Sequence, residues 1–158
     1  MQSPETILAI RSILVPTDGS DLAGSALAYA CRLAKVFDAT IHVCHGIDYL
    51  SLPGYLAKGP ESAPRLLVED GEAVLDAARA IACEHELEII GHLVRGAVAP
   101  AIVRLATTIG VDMIVMGTHG RSGVGRFVLG SVAADVLRSA PVPVVVVPAS
   151  VREIGGSA

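Results

Sequence analysis

The sequence predicts an α/β fold, a single doubly wound, Rossmann-like sheet of five parallel strands with helices on both faces. Three observations predict it. Short runs are apolar throughout, as in Ile13-Leu14-Val15 and in Val142 to Val147 broken only by Pro143, which suits strands buried on both faces. Between them lie stretches with apolar residues every three or four positions. Strand and helix patterns also alternate along the chain, which calls for a parallel sheet with crossover helices.

The first strand, Ile13 to Val15, closes at Pro16. After TDGS, apolar positions Leu22, Ala26, Ala30, Leu33 and Phe37 define an amphipathic helix, with Ser20 or Asp21 as its N-cap. ATIHVCHG is the second strand, and YLSLPGYLAKGPESAPR, rich in proline and glycine, is the longest loop. From Pro64 to Glu86 the pattern is helical again, with Leu67, Val74, Ala78, Ile81 and Ala82 on one side and Gly71 as a weak point. EIIGHLV is the third strand. Pro100 marks the start of a third helix carrying Ile102, Leu105, Ala106 and Ile109, and Gly110 ends it. DMIVMG is strand four, Gly117 to Gly130 a glycine-rich connection, Ser131 to Ser139 a helix, and the valine run strand five. The tail VREIGGSA is expected to fray.

At 158 residues the chain is expected to form one domain over residues 1–158, with its core at about 11–148. No apolar run approaches the roughly 18 residues of a membrane span, and the N-terminus lacks the basic start of a signal peptide. Cys31, Cys44 and Cys83 are odd in number and widely spaced, which suits reduced thiols and a cytoplasmic location. A net charge of -4, no Trp and 3% aromatic residues argue against nucleic acid as a partner. A binding surface must therefore come from backbone and small residues.

Open parallel sheets bind ligands beyond the carboxyl ends of their strands, where the strand order reverses. That singles out Pro16 to Ser20, His45 to Asp48 and Gly117 to Ser131. GTHGRSGVGRFVLGS joins a strand end to a helix start. Its glycines let the backbone approach a ligand, and the amides of the following helix attract an anion such as phosphate. The same residues also suit a plain flexible connection with Ser131 as an N-cap. A Walker loop is excluded because the segment has no lysine. The dinucleotide fingerprint is excluded because its third glycine is missing and the segment does not follow the first strand. His42 and His45, three apart on a strand, face opposite ways and cannot share a metal. His85 reads as a helix-surface residue, and His119 has no carboxylate neighbour marking it as a base. No metal site is expected.

Gly117, Gly120, nine residues, then Gly130 and Ser131 match the G-x2-G-x9-G-[ST] motif of the ATP-binding universal stress proteins. ILVPTDGS, HVCHGID and PVPVVVV resemble that family's other ordered motifs, so the resemblance spans about residues 11–148. It implies that Asp18 bonds the ribose hydroxyls, a role set against that of turn-former, while Pro16 and Thr17 shape the adenine side. Gly46 stands where the family reads adenine through the backbone, at a position usually larger and often valine. The resemblance puts Met116 beside the base, unless it is plain core, and Gly117, Gly120, Gly130, Ser131 and Val132 around the phosphates. Arg121 and Arg126 add charge there or are solvated loop residues. The resemblance further implies ATP as ligand, magnesium arriving with it on phosphate oxygens and Asp18, and a homodimer through strand five at about 142–147.

Two functions compete: a nucleotide-responsive regulator, and a slow ATPase or relative of the ATP pyrophosphatases. The latter carry S-G-G-x-D-S after strand one where this chain has T-D-G-S-D, so any hydrolysis is expected to be weak. A third reading keeps the fold and takes AMP or cyclic AMP. Member-specific function is expected in the loop from Tyr49 to Arg65.

Overall fold

The computed structural model describes residues 9–47, 53, 61–119 and 129–149. Five strands run β1 (Ser12–Pro16), β2 (Thr40–Ile47), β3 (Ile89–Arg95), β4 (Met113–Gly117) and β5 (Val144–Val147). Between them lie four described helices: α1 (Asp21–Phe37), α2 (Ala63–Glu84), α3 (Val98–Ile109) and α4 (Ser131–Ser139). All strand pairs are parallel and the order is β3-β2-β1-β4-β5, the expected Rossmann-like architecture. The chain steps from β1 outward to β2 and β3, then returns to β1's other side with β4. The order therefore reverses between β1 and β4, and a crevice opens outside their carboxyl ends.

Alternation along each strand divides the core into two layers. Ile13, Val15, Ile41, Val43 and Val115 face α1 and α2, where Ala26, Leu27, Ala30, Leu75 and Ala78 meet them. Leu14, Cys44, Ile114 and Met116 face the opposite way, onto Ala99, Ile102 and Ala106 of α3 and Ala133 and Val136 of α4. The buried stripe of α1 runs through Ala23, Ala26, Leu27, Ala30, Cys31 and Ala34. It is displaced from the expected stripe, leaving Phe37 40% exposed. Alanine, not bulk, sets that contact, because small side chains let helix and sheet come close.

Gly71 is no defect in α2. A Cβ there would lie 2.8 Å from Cδ2 of Leu93, so the strand's leucine fills the notch. Ser20 is the N-cap of α1, its hydroxyl accepting from the Ala23 amide at 3.2 Å. The third helix starts two residues earlier than expected, at Val98 with Ala97 as N-cap, which places Pro100 at the third helical position. Proline is tolerated there because the first-turn amides lack intrahelical partners anyway. β5 starts at Val144, since Pro143 lacks an amide; its carbonyl still accepts from Ile114 N at 3.0 Å. At the amino ends, Asp112 Oδ2 accepts from the amides of Arg11 and Ser12 at 2.8 and 3.0 Å and pins β1 to the start of β4.

The cysteines are unpaired, Cys31 and Cys44 buried in the two layers and Cys83 exposed on α2. Burial pushes the Cys31 thiol up to about 11, with Lys35 pulling slightly the other way, and the Cys44 thiol up to about 12. Thiolate is the reactive form. Iodoacetamide at pH 8 is therefore expected to label Cys83 alone in the folded chain, read by peptide mass spectrometry, and all three after denaturation. Rapid native labelling of Cys31 or Cys44 would contradict this packing.

Candidate functional site

The turn after β1 is built from its own side chains. Thr17 Oγ1 accepts from Gly19 N at 3.1 Å, and Asp18 Oδ1 accepts from Ser20 N at 2.9 Å. Asp18 thus forms the turn, the plainer of its two expected roles, directly after the carboxyl end of β1. β2 holds this turn from the side. Thr17 N donates to Cys44 O at 2.8 Å, and His45 Nδ1 donates to Thr17 O at 2.9 Å. The carbonyl can only accept, so the bond assigns the proton to Nδ1. Sequence reading missed this role of His45; its place at the end of β2, opposite the β1 turn, was the available signal.

Across the crevice, Gly130 N donates to Thr118 O at 2.7 Å, tying the start of α4 to the end of β4. A Cβ on Gly130 would lie 3.0 Å from His119 Cα and 3.2 Å from Thr118 O, so glycine spares this close approach a crowded contact with backbone. Gly130, in extended conformation, is itself the N-cap and makes no side-chain cap bond. The alternative reading of Ser131 as N-cap is therefore corrected: Ser131 is the first helical residue. Its hydroxyl and the amides at the start of α4 stand where the positive end of the helix meets the crevice. Gly117 packs beneath, where a Cβ would lie 3.0 Å from Leu22 Cγ.

Pro16, Gly46 and Met116 alternate onto the α3 and α4 side of the sheet, with Met116 buried at 5% exposure and Val132 packed on that same layer. The structure thus brings Pro16, Thr17, Asp18, Gly46, Met116, Gly117, Gly130, Ser131 and Val132 to the carboxyl ends of β1, β2 and β4. Gly120, Arg121, Arg126 and Asp48 lie outside the described residues, as do most of the 49–65 loop and the tail from 150. On the other face a hollow between α1 and α2, lined by Thr17, Ser20, Gly24, Leu27, Ala78 and Ile81 among others, has about 30 Å³, room for about a water. Among the described residues no group of three or more His, Cys, Asp or Glu is placed to hold a metal ion.

The structure turns His42 and His45 to opposite faces, and it adds a pairing that spacing did not reveal. His42 Nδ1 lies 3.0 Å from Nε2 of His92 on the neighbouring strand β3, the rings 5.3 Å apart and inclined by 25°. One nitrogen donates and the other accepts, so two protonated rings cannot keep the bond. Both imidazoles are held below the usual range, His42 by burial and then by the charge of His92, His92 by burial. An imidazole depressed in the folded state leaves the unfolded chain with more protons as pH falls through the ordinary value of 6.5. Stability is then complete above that pH and declines below it, until the folded rings titrate too. Urea midpoints at pH 7.5 and 5.5 are expected to fall further for wild type than for His42→Gln. Parallel declines would remove the pair as the cause.

The family model described as "Universal stress protein family" matches residues 9–148. A universal stress protein of Methanocaldococcus jannaschii is 37% identical over 144 residues, covering 90% of this chain and 85% of its own length. The solved structure of a universal stress protein family member from Burkholderia pseudomallei superposes with a TM-score of 0.70 at 34% identity, covering 90% of this chain and 98% of that one. A universal stress protein solved in complex with cAMP superposes with a TM-score of 0.69 at 26% identity, covering 88% and 97%. With a matching family model over most of its length and relatives of this identity and coverage, the chain belongs to the universal stress protein family.

Proposed function

We propose that this chain binds an adenine nucleotide, ATP foremost, outside the carboxyl ends of β1, β2 and β4, and works as a nucleotide-responsive stress-response regulator and not as an enzyme. The observation that carries the reading is the Gly130–Thr118 closure, which ties the amide end of α4 to the carboxyl end of β4, the neighbour of β1 where strand order reverses. The related protein solved with cAMP supports an adenine nucleotide as the ligand class. In this reading Asp18 accepts from the ribose hydroxyls, Pro16, Thr17, Gly46 and Met116 surround the base, and Gly117, Gly120, Gly130, Ser131 and Val132 take the phosphates with Arg121. Magnesium arrives on phosphate oxygens, with Asp18 as its protein neighbour.

An ATPase is less well supported. The segment from Gly117 to Val132 has no lysine, and the β1 turn lacks the double glycine of the pyrophosphatases. A homodimer through β5 belongs to the same proposal: β5 ends the sheet, Val144 to Val146 are only partly buried, and Leu137 of the adjoining α4 is 42% exposed. Three unpaired cysteines support a cytoplasmic setting, and no described helix is long and apolar enough to cross a membrane.

Calorimetric titration of nucleotide-stripped protein with ATP, AMP and cyclic AMP, beside a phosphate-release assay, tests the reading. Saturable ATP binding with little phosphate released is expected. Rapid release would favour the enzyme, tighter binding of AMP or cyclic AMP would change the ligand, and no binding of any of the three would overturn the site.

A further inference from the structure

Gly46 is the last residue of β2 to face the α3 and α4 layer before the crevice, and it presents no side chain there. The space is nevertheless filled. A Cβ built on Gly46 would lie 3.0 Å from Cγ2 and 3.2 Å from Cγ1 of Val98. Val98 opens α3, at the carboxyl end of β3, so it reaches Gly46 from the neighbouring strand's crossover and not from β2 itself. One side of its isopropyl group packs on the layer of Leu14, Cys44 and Met116; it is only partly buried, so part of it still faces outward.

A bulkier residue at position 46 and the present Val98 therefore compete for the same space, and one of them must give by a few tenths of an ångström. The wall that the β2 position does not supply comes from the helix. We propose that Val98 is a base-contacting residue, the apolar wall against which the adenine of the bound nucleotide packs, and that Gly46 is glycine to admit it. The inference rests on the adenine-nucleotide reading above. Two branched methyls at the end of β2, with no donor or acceptor, suit the flat face of a base and offer nothing to ribose or phosphate. The contact selects for a large aromatic base without reading its edge, which leaves edge recognition to the backbone of β2.

The prediction is reciprocal. Val98→Ala is expected to weaken ATP binding roughly tenfold, the order seen when methyl groups leave an apolar contact. Val98→Thr keeps the shape and adds a hydroxyl, and is expected to weaken binding as well while preserving the fold. Gly46→Val alone is expected to weaken binding because its side chain drives into Val98. Combined with Val98→Ala, it is expected to restore affinity to within about threefold of wild type. ATP calorimetry on the four variants, with thermal melts to confirm folding, reads all of this. If wild type binds ATP and Val98→Ala and Val98→Thr stay within twofold of it, or the double variant is no better than either single one, Val98 is not the wall. If wild type binds no adenine nucleotide, the function reading fails first and takes this inference with it.

Discussion

Valine in place of Gly130 is expected to abolish ATP binding, by at least a hundredfold, in a chain that still folds. The atoms a side chain would meet are mostly backbone: His119 Cα at 3.0 Å and Thr118 O at 3.2 Å, with His119 Cβ at 3.1 Å. No rotamer change relieves such a clash. A Cβ alone needs a few tenths of an ångström there, and the two methyls of valine need more, which pushes the start of α4 from the end of β4 against the 2.7 Å bond from Gly130 N to Thr118 O. The amides that open α4 then move away from the proposed phosphate position, and misplacement by about an ångström is enough to cost about a hundredfold where geometry carries the interaction. The fold survives because the α4 residues packed into the core, Ala133 and Val136, lie farther along the helix. Gly117 makes a poorer probe, since its nearest obstacle is Leu22 of α1 and a substitution there disturbs helix packing as well. Calorimetry and far-ultraviolet circular dichroism decide the matter. A folded Gly130→Val protein that binds ATP like wild type would remove the start of α4 from the site.

Most of the architecture could be read from residues because its causes are local. Ile13, Leu14 and Val15 are apolar in succession, and each is fully buried, on alternating faces. Gly110 ends α3 in the left-handed region at φ 73°, where glycine costs least. Element edges proved less legible where side chains far apart in sequence settle them. The run DMIVMG makes Asp112 the first residue of β4, yet its carboxylate is taken by the amides of Arg11 and Ser12, about a hundred positions away. The α1 stripe shifted because the sheet prefers alanine contacts to the bulk of Phe37, a tertiary demand that helical periodicity does not contain.

The site divides in the same way. Its glycine and aspartate positions follow from the order of elements, since the segments after the strands that flank the reversal lie at the crevice. What periodicity could not convey is which side chain fills which gap. His45 locks the Thr17 carbonyl, and Val98 occupies the space left by Gly46, each across a strand pairing that spacing alone does not specify. The His42–His92 pair is of this kind too: the two lie fifty positions apart and are brought together only by the β2–β3 register.

Leu14→Ala is expected to destabilise the fold by about 2–5 kcal/mol, because it opens a cavity in the central strand. Leu14 is fully buried, in a core layer to which both α3 and α4 contribute, through Ile102 and Val136 among others, so the shift of one helix is not expected to close the gap. Against a total stability of roughly 5–15 kcal/mol, such a loss lowers the melting temperature by on the order of 5–15 °C. Yet none of the residues proposed to contact phosphate or ribose is altered. ATP at a hundred times its dissociation constant adds about 2.7 kcal/mol to any chain that still binds it, so it is expected to raise the Leu14→Ala midpoint about as much as that of wild type. The same ATP is expected to leave the Gly130→Val midpoint unmoved. Thermal melts of the three proteins with and without ATP thus separate core from site. If ATP fails to raise the Leu14→Ala midpoint although it raises that of wild type, the packed layer beneath Met116 is part of the binding site and not merely its support.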